Sequence, residues 1–208
     1  TFISECTFGL PIFRWRPQAE VMGGINQWWL KNREAGKTSV IGAYALGKAQ
    51  RILANVDPSI GPILTHGAVE AMNEVLRAQG FKLPETVRVN PDMDARAYSG
   101  ALVLATPSAL GTPWLRRFGA TEEAFASGWM ALRGIRRRRG LGQGFVLSDH
   151  ADWQSLNDAI RATGAEQVFV THGYTSPFRR WLEEQGYKAG IVETEYQGET
   201  ADDTQVTE

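Results

Sequence analysis

The sequence is poor in the residues that most often announce a function. It has one cysteine, Cys6, and three histidines in 208 residues. One thiol cannot close an internal disulfide, which makes a reducing compartment, the cytoplasm, the expected location. Cys6 also has no nucleophile motif around it and reads as a small core residue. No run reaches the ~18 consecutive apolar residues of a membrane span, and no basic-then-apolar signal segment stands at the start, so no membrane partner is expected. Charge of one sign is missing as well. Lys and Arg number 22 against 23 Asp and Glu, for a net charge of -1 and a pI near 6.3, unlike a uniformly basic binder of polyanions. A phosphate-binding P-loop is absent too: Gly36-Lys37-Thr38 resembles its end, but Lys31 stands where the first glycine is needed. Gly140-Leu141-Gly142-Gln143-Gly144 resembles a dinucleotide-binding run, yet it precedes a predicted strand instead of following one, and reads as a flexible turn.

What is present describes an ordinary globular chain of one large or two small domains, 43% hydrophobic with a mean hydropathy of -0.27. Apolar runs and helical spacings alternate. Strands are expected at Phe2-Ile3, 39–44, Ile63-Leu64, 86–89, 101–105, 145–147, 167–170 and 189–192. Helices are expected over 18–35, from Leu46 to Leu53, 68–79, 153–162 and 177–185, and a further element over 125–132. This order argues an α/β class with parallel pairing and crossover helices. The even net charge hides an asymmetry. Arg133, Arg136, Arg137, Arg138 and Arg139 crowd one segment, while Glu193, Glu195, Glu199, Asp202, Asp203 and Glu208 make the end of the chain acidic; from Gln197 onward it has no apolar pattern and is expected to be disordered. A concentrated basic stretch can track phosphates whatever the global sum. The glycine-broken segment 133–144 reads as a junction between two sub-structures. The chain opens at Thr1 inside a strand-like run, which suggests a piece of a longer protein.

The histidines carry the chemistry. His150, in Ser148-Asp149-His150-Ala151-Asp152, and His172, in Val170-Thr171-His172-Gly173, both follow predicted strands. Polar groups at strand ends are where open α/β sheets gather ligand chemistry. Asp149 and Asp152 can orient the His150 imidazole or raise its pKa, which suits a general acid. Gly173 permits close backbone approach to a metal or phosphate beside His172, whose neutral imidazole is a common metal ligand. Glu5 ends another apolar run and can share the same edge. His66 reads as a hydrogen-bonding core histidine. Trp15, Trp114 and Trp129 are candidates for stacking on bases, or for core packing.

These residues also fall into ordered motifs. Glu5-Cys6-Thr7-Phe8-Gly9 resembles the acidic motif of the β-CASP branch of metallo-β-lactamase-fold nucleases. The 144–153 stretch around His150 resembles its F-S-x-H-x-D motif, and Val168 to Gly173 its final V-x-x-H-G motif. Residues 43–51, with Gly47, Lys48, Gln50 and Arg51, resemble the helix start of the β-CASP cap, and 103–110 its A-S-P-G-M-L segment. Through 9–15 and 127–139 the chain is most similar to the bacterial ligase-associated DNA exonucleases, a group also described as mRNA 3′-end processing factor-like. The resemblance covers residues 1 to about 192. It implies a β-CASP α/β cap over 16–125, with the metallo-β-lactamase fold contributing 1–15 and 126–195 and a tail over 196–208. The family's H-x-H-x-D-H motif is missing, which again implies the C-terminal portion of a longer protein.

The resemblance implies hydrolysis of phosphodiester bonds at a two-zinc centre, incomplete in this chain, which alone would be inactive. His172 would ligate one zinc. His150 would protonate the leaving oxygen, with Glu5 stabilising its imidazolium and Asp149 and Asp152 beside it. Lys48, Arg51 and the arginines from Arg133 to Arg139 would contact phosphates. The implied partners are nucleic acid, DNA ahead of RNA, and an ATP-dependent DNA ligase. An RNA 3′-end processing nuclease is the alternative within the superfamily. A non-catalytic nucleic-acid-binding or ligase-docking module is the alternative of another class.

Overall fold

A computed structural model describes residues 1–138, 140 and 142–193, with the Arg138 side chain excepted. The expected disorder of 196–208 therefore lies outside the described residues, as does Arg139. Every strand pairing among the described residues is parallel, and helices flank the sheets, so the α/β class holds. Among the described residues no helix is long and apolar enough to cross a membrane.

The chain forms two compact units, Thr1–Trp15 with His150–Glu208, and Arg16–Asp149. The expected boundary at 125/126 differs from this division, and so does the expected junction over 133–144. The reason is pairing. After β6 (Thr121–Ala126), the chain makes a helical turn and the short helix α4 (Arg133–Arg138). It then returns as β7 (Gln143–Phe145), which pairs with β6. Strand β6 escaped the sequence reading because Thr121, Glu122 and Glu123 at its start carry no apolar signal.

The larger unit is a six-stranded sheet in the order β4-β3-β5-β2-β6-β7, with β2 Thr38–Gly42, β3 Ile63–Thr65, β4 Val87–Arg88 and β5 Leu102–Ala105. Strand β5 shows how the core is built. Leu102 and Leu104 point into a cluster with Met22, Ile25 and Trp29 of α1 (Gln18–Glu34), Ile52 and Leu53 of α2 (Lys48–Leu53) and Val69 of α3 (Gly67–Ala78). Val103 and Ala105 point the other way, into a cluster with Val40, Leu64, Leu115 and Phe118. This is the period-two alternation of a strand buried on both faces. On the second face 3-10 turns over Ala95–Tyr98, Pro107–Ala109 and Pro113–Phe118 replace long helices. A buried polar network fastens α3 to the sheet. The Glu70 carboxylate accepts from Thr65, Thr86, Asn73 and Arg77 at 2.6–3.0 Å. Burial pushes its pKa up, but these four donors outweigh that and leave it lowered.

The smaller unit has a three-stranded sheet in the order β1-β8-β9, from Phe2–Cys6, Gln167–Gly173 and Lys188–Ile191. Helices α5 (Trp153–Thr163) and α6 (Thr175–Glu184) contribute Trp153, Leu156, Ile160, Phe178 and Leu182 to a core shared with Cys6, Val168 and Val170. The β1–β8 register runs evenly from Phe2↔Val168 to Glu5↔Thr171, then jumps to Cys6↔Gly173. His172 is the extra residue, a bulge, and it alone among non-glycine residues described has a positive φ, 54°. Gly173 follows with φ 79°, and a Cβ there would lie 2.3 Å from Thr7 Cα and 2.5 Å from the Cys6 carbonyl oxygen. Among the described residues, the close approach that Gly173 permits is made to the Cys6–Thr7 backbone.

This crossing gives a paired test by chemical denaturation. Gly173→Ala meets both the left-handed penalty and a backbone overlap, and is expected to cost more than ~3 kcal/mol. Gly186→Ala has φ 91° but open space around it, and is expected to cost only about 1 kcal/mol. Equal losses would show that the Cys6–Thr7 contact imposes nothing.

Candidate active site

Glu5 and His172 end the neighbouring strands β1 and β8, so the register places them at the same carboxyl edge. His150 reaches this site differently from the sequence expectation. Val146 and Leu147 are not in a strand, and β7, the preceding strand, belongs to the sheet of the larger unit. His150 instead lies on the segment entering α5. Its Nδ1 is 3.4 Å from Glu5 Oε1, with both side chains about one-third exposed.

The Glu5-to-Gly9 segment supports this pair residue by residue. Glu5 Oε2 accepts from the Thr7 amide at 2.6 Å. Burial raises the Glu5 pKa, but the contacts to His150 and Thr7 outweigh it and hold the carboxyl below its usual range. Cys6 is fully buried, and its Sγ donates to the His172 carbonyl at 2.9 Å. Burial, with the Glu5 charge adding to it, pushes the thiol up to about 12, so Cys6 is a core residue and no nucleophile. Phe8 packs edge-on against the His150 ring at 6.0 Å and against Phe13 and Trp15 at 4.9 Å. Gly9 closes the turn, donating to the Cys6 carbonyl; a Cβ there would lie 3.0 Å from Cys6 and 3.1 Å from Phe178.

The two aspartates beside His150 have other work. Asp152 caps α5, with Oδ1 accepting from the Ser155 amide and Oδ2 from the Trp15 amide, both at 2.8 Å. Burial raises its pKa, but these donors and the Arg14 charge leave it lowered. Asp149 lies 3.7 Å from Lys48 Nζ and 3.5 Å from Arg51 Nη1. The carboxylate that orients His150 is therefore Glu5. Trp15 ties the site together, its indole donating to the His150 carbonyl at 3.0 Å. That role, and the packing of Phe8 and Phe13, were missed by sequence reasoning; three aromatics bracketing Pro11 were the available signal.

The phosphate-contact candidates separate. The Lys48 side chain is 3% exposed, with Nζ 4.4 Å from the Tyr44 ring centre, and Arg51 donates to the Ser148 carbonyl at 2.6 Å. Both brace the Ser148–Asp149 turn instead of presenting an open cationic face, because α2 starts where β2 delivers the chain into the core. Arg133 and Arg137 are exposed on α4, and Arg136 is half-buried against Gly144, lining a cavity of about 420 Å³ with Arg16, Glu20 and Gln143. The arginines from Arg133 to Arg138 lie on the short helix α4. Trp129 is buried, which removes it as a stacking platform.

Zinc, implied by the sequence resemblance, can be tested against the donor set. Among the described residues no three His, Cys, Asp or Glu side chains gather in a way that could hold a metal ion. His172 is a lone candidate, and these residues by themselves do not fit a zinc centre.

No model of a protein family matches the chain. A protein of Opitutus terrae described as a probable DNA ligase is 27% identical over 190 residues, which is 91% of this chain and 18% of that protein. The chain thus spans less than a fifth of the length of the relative it resembles.

Proposed function

We propose that this chain serves phosphodiester hydrolysis of nucleic acid, DNA in the first instance, as the acid-bearing part of a β-CASP-type metallo-β-lactamase-fold exonuclease working with an ATP-dependent DNA ligase. The observation that carries the reading is the Glu5–His150 pair at 3.4 Å, set at the strand edge that also presents His172. Resemblance to a stretch of a probable DNA ligase supports the DNA-related role. In the proposed step His150 is protonated. Its Nδ1 faces Glu5, so Nε2 carries the proton delivered to the departing sugar oxygen, while the carboxylate stabilises the imidazolium. Arg133 and Arg137 track backbone phosphates. The alternative of another class is a non-catalytic nucleic-acid-binding or ligase-docking module.

The readings part in the complete gene product, assayed on labelled DNA and RNA. His150→Ala is expected to cut turnover by ~10²–10⁴-fold with binding retained. Glu5→Gln should lower it less. Unchanged turnover in His150→Ala would overturn the acid role; no hydrolysis by the wild type would favour the binding module; and preferential cleavage of RNA would reassign the substrate.

The depressed Glu5 pKa sets a sign. A carboxyl lowered on folding contributes stability that is complete above its ordinary value of 4.5 and is lost as pH falls through the lower folded value. Stability of the wild type should therefore fall more steeply below about pH 4.5 than that of Glu5→Gln, read from denaturation midpoints across pH. Parallel profiles would show that the pair adds nothing.

The arginine face has its own signature. The double substitution Arg133→Ala and Arg137→Ala should weaken DNA binding and flatten its salt dependence, with a slope change of ~0.7 for each single-strand phosphate that is no longer neutralised. An unchanged slope would mark α4 as solvated surface.

A further inference from the structure

A second group of cations lies at the carboxyl edge of the six-stranded sheet, apart from the α4 arginines. Strand β3 ends at Thr65 and β4 at Arg88, and β5 runs into Thr106 and Ser108; the parallel pairing β4-β3-β5 brings these ends side by side. The chain winds outward from β2 through β3 to β4, then returns to insert β5 between β2 and β3. Reversals of this kind in parallel sheets open crevices beyond the strand ends, where ligands bind.

His66 follows β3, its amide bonded to the Leu104 carbonyl of β5, and its Nδ1 accepts from the Ala68 amide at 3.2 Å. His66 therefore makes a hydrogen bond as expected, but as the partly exposed N-cap of α3 and not as a core residue. With Nδ1 accepting, the ring proton is on Nε2, a donor. Burial, and then the Arg117 charge, lower its pKa. The His66 ring meets Trp114 edge-on at 5.3 Å, and the Arg117 guanidinium lies 5.3 Å over the same indole. Arg117 Nε donates to the Trp114 carbonyl, and its Nη1 lies 3.4 Å from the Asn90 carbonyl, two residues beyond Arg88. The exposed Arg88 guanidinium covers Gly67, its Nη2 3.5 Å from where a Cβ would stand.

No carboxylate forms an ion pair with Arg88 or Arg117 among the described residues. Elsewhere in this unit Lys37 meets Glu122, Arg51 meets Asp149 and Arg77 meets Glu70. Arg88 over Gly67 and Arg117 over Trp114 thus flank the segment that carries the His66 ring N–H, on a frame that Glu70 steadies through Thr65 and Thr86. Planar forks of this kind suit phosphate oxygens, and the Thr106 and Ser108 hydroxyls add donors at the neighbouring strand end.

We propose that Arg88, Arg117 and His66, framed by Trp114, form a phosphate site that holds the backbone of single-stranded nucleic acid. The site rests on the nucleic-acid reading above and extends it to a surface of the larger unit that the basic α4 segment does not include.

The test uses the intact chain, a short fluorescein-labelled single-stranded DNA and inorganic phosphate. Arg88→Ala with Arg117→Ala should weaken DNA binding about tenfold at low salt and flatten the salt dependence by ~1.4, for two phosphate contacts. Arg88→Ala alone, at an exposed position, should give about half that slope change and guards against a folding defect in the double variant. Arg180→Ala, on exposed α6, should change neither. With three histidines in the chain, imidazole NMR resolves His66, whose signal should shift on adding DNA and stay still in the double variant. Affinity and slope equal to wild type in both variants, or an unmoved His66 signal while DNA binds, would overturn the proposal. So would absence of DNA binding by the wild type. A His66 shift with inorganic phosphate but not with DNA would assign the site to a small phosphate ligand and overturn the nucleic-acid assignment. The acid chemistry fails or stands on His150→Ala turnover, which is independent of these measurements.

Discussion

The crossing of Gly173 over Cys6 and Thr7 is the constraint on which the smaller unit depends. The strands β1 and β8 cannot stay in register past Glu5, because the backbone of β8 must come within van der Waals reach of β1 with no side chain between them. The slip is absorbed at His172, which takes a left-handed conformation that costs a non-glycine residue roughly 1–2 kcal/mol. Three consequences follow from one displaced residue. The His172 carbonyl turns to the buried Cys6 thiol. The Cys6 carbonyl is left to accept from both Gly9 and Tyr174. The Thr7 amide is then placed to bind Glu5, which fixes the carboxylate against His150. A bulge at a strand end is a common device for re-aiming side chains at a site.

The larger unit reaches rigidity by another route. Its parallel strands are buried on both faces, and polar groups that must pass through the core are grouped and satisfied. Glu70 gathers four donors, and Asn73 passes the network on to Gln50 of α2. Removing one partner from such a set would leave a buried polar group unsatisfied, which costs more than the bond itself contributes. That is why α3, which His66 caps at its N-terminus, is a firm platform. Lys48 shows the same logic at smaller scale. A nearly buried ammonium is tolerable beside a carboxylate and an aromatic face, and both are within reach.

Much of this was legible in the sequence, and the failures share a cause. The alternation of strands and helices and the parallel pairing follow from apolar runs, and the association of Glu5 with His150 from the motifs that the chain shares with the β-CASP nucleases it resembles. The partners of Asp149, Asp152, Lys48 and Arg51 do not. Short-range sequence places aspartates beside His150, but a residue's neighbours in a loop point away from one another as often as towards it. Asp152 was taken by the first turn of α5, as its position before Trp153 allows, and Asp149 by cations about a hundred positions earlier. Strand β6 was hidden because its start is polar, and β7 because a three-residue edge strand carries too little pattern to end correctly. The bulge at His172 has no sequence signal except the glycine after it.

The distribution of charge says most about what the chain is built to do. A net charge of -1 would normally argue against a polyanion partner, yet the acids and bases are not mixed evenly. On α5 and α6 the arginines are matched locally, Arg161 with Asp158, Arg179 with Glu183 and Arg180 with Glu184. Such exposed pairs contribute little and leave that surface electrically quiet. In the larger unit, by contrast, Arg88 lies beside Gly67 and Arg117 acts on the His66 imidazole, neither ion-paired to a carboxylate among the described residues, and Arg133 and Arg137 stand one turn apart on α4 with exposed side chains. Charge in this chain is thus distributed unevenly in spite of its near-neutral sum, matched pair by pair on α5 and α6 and left without ion pairs at Arg88 and Arg117 among the described residues, so the global net charge says little about the local field at any one surface.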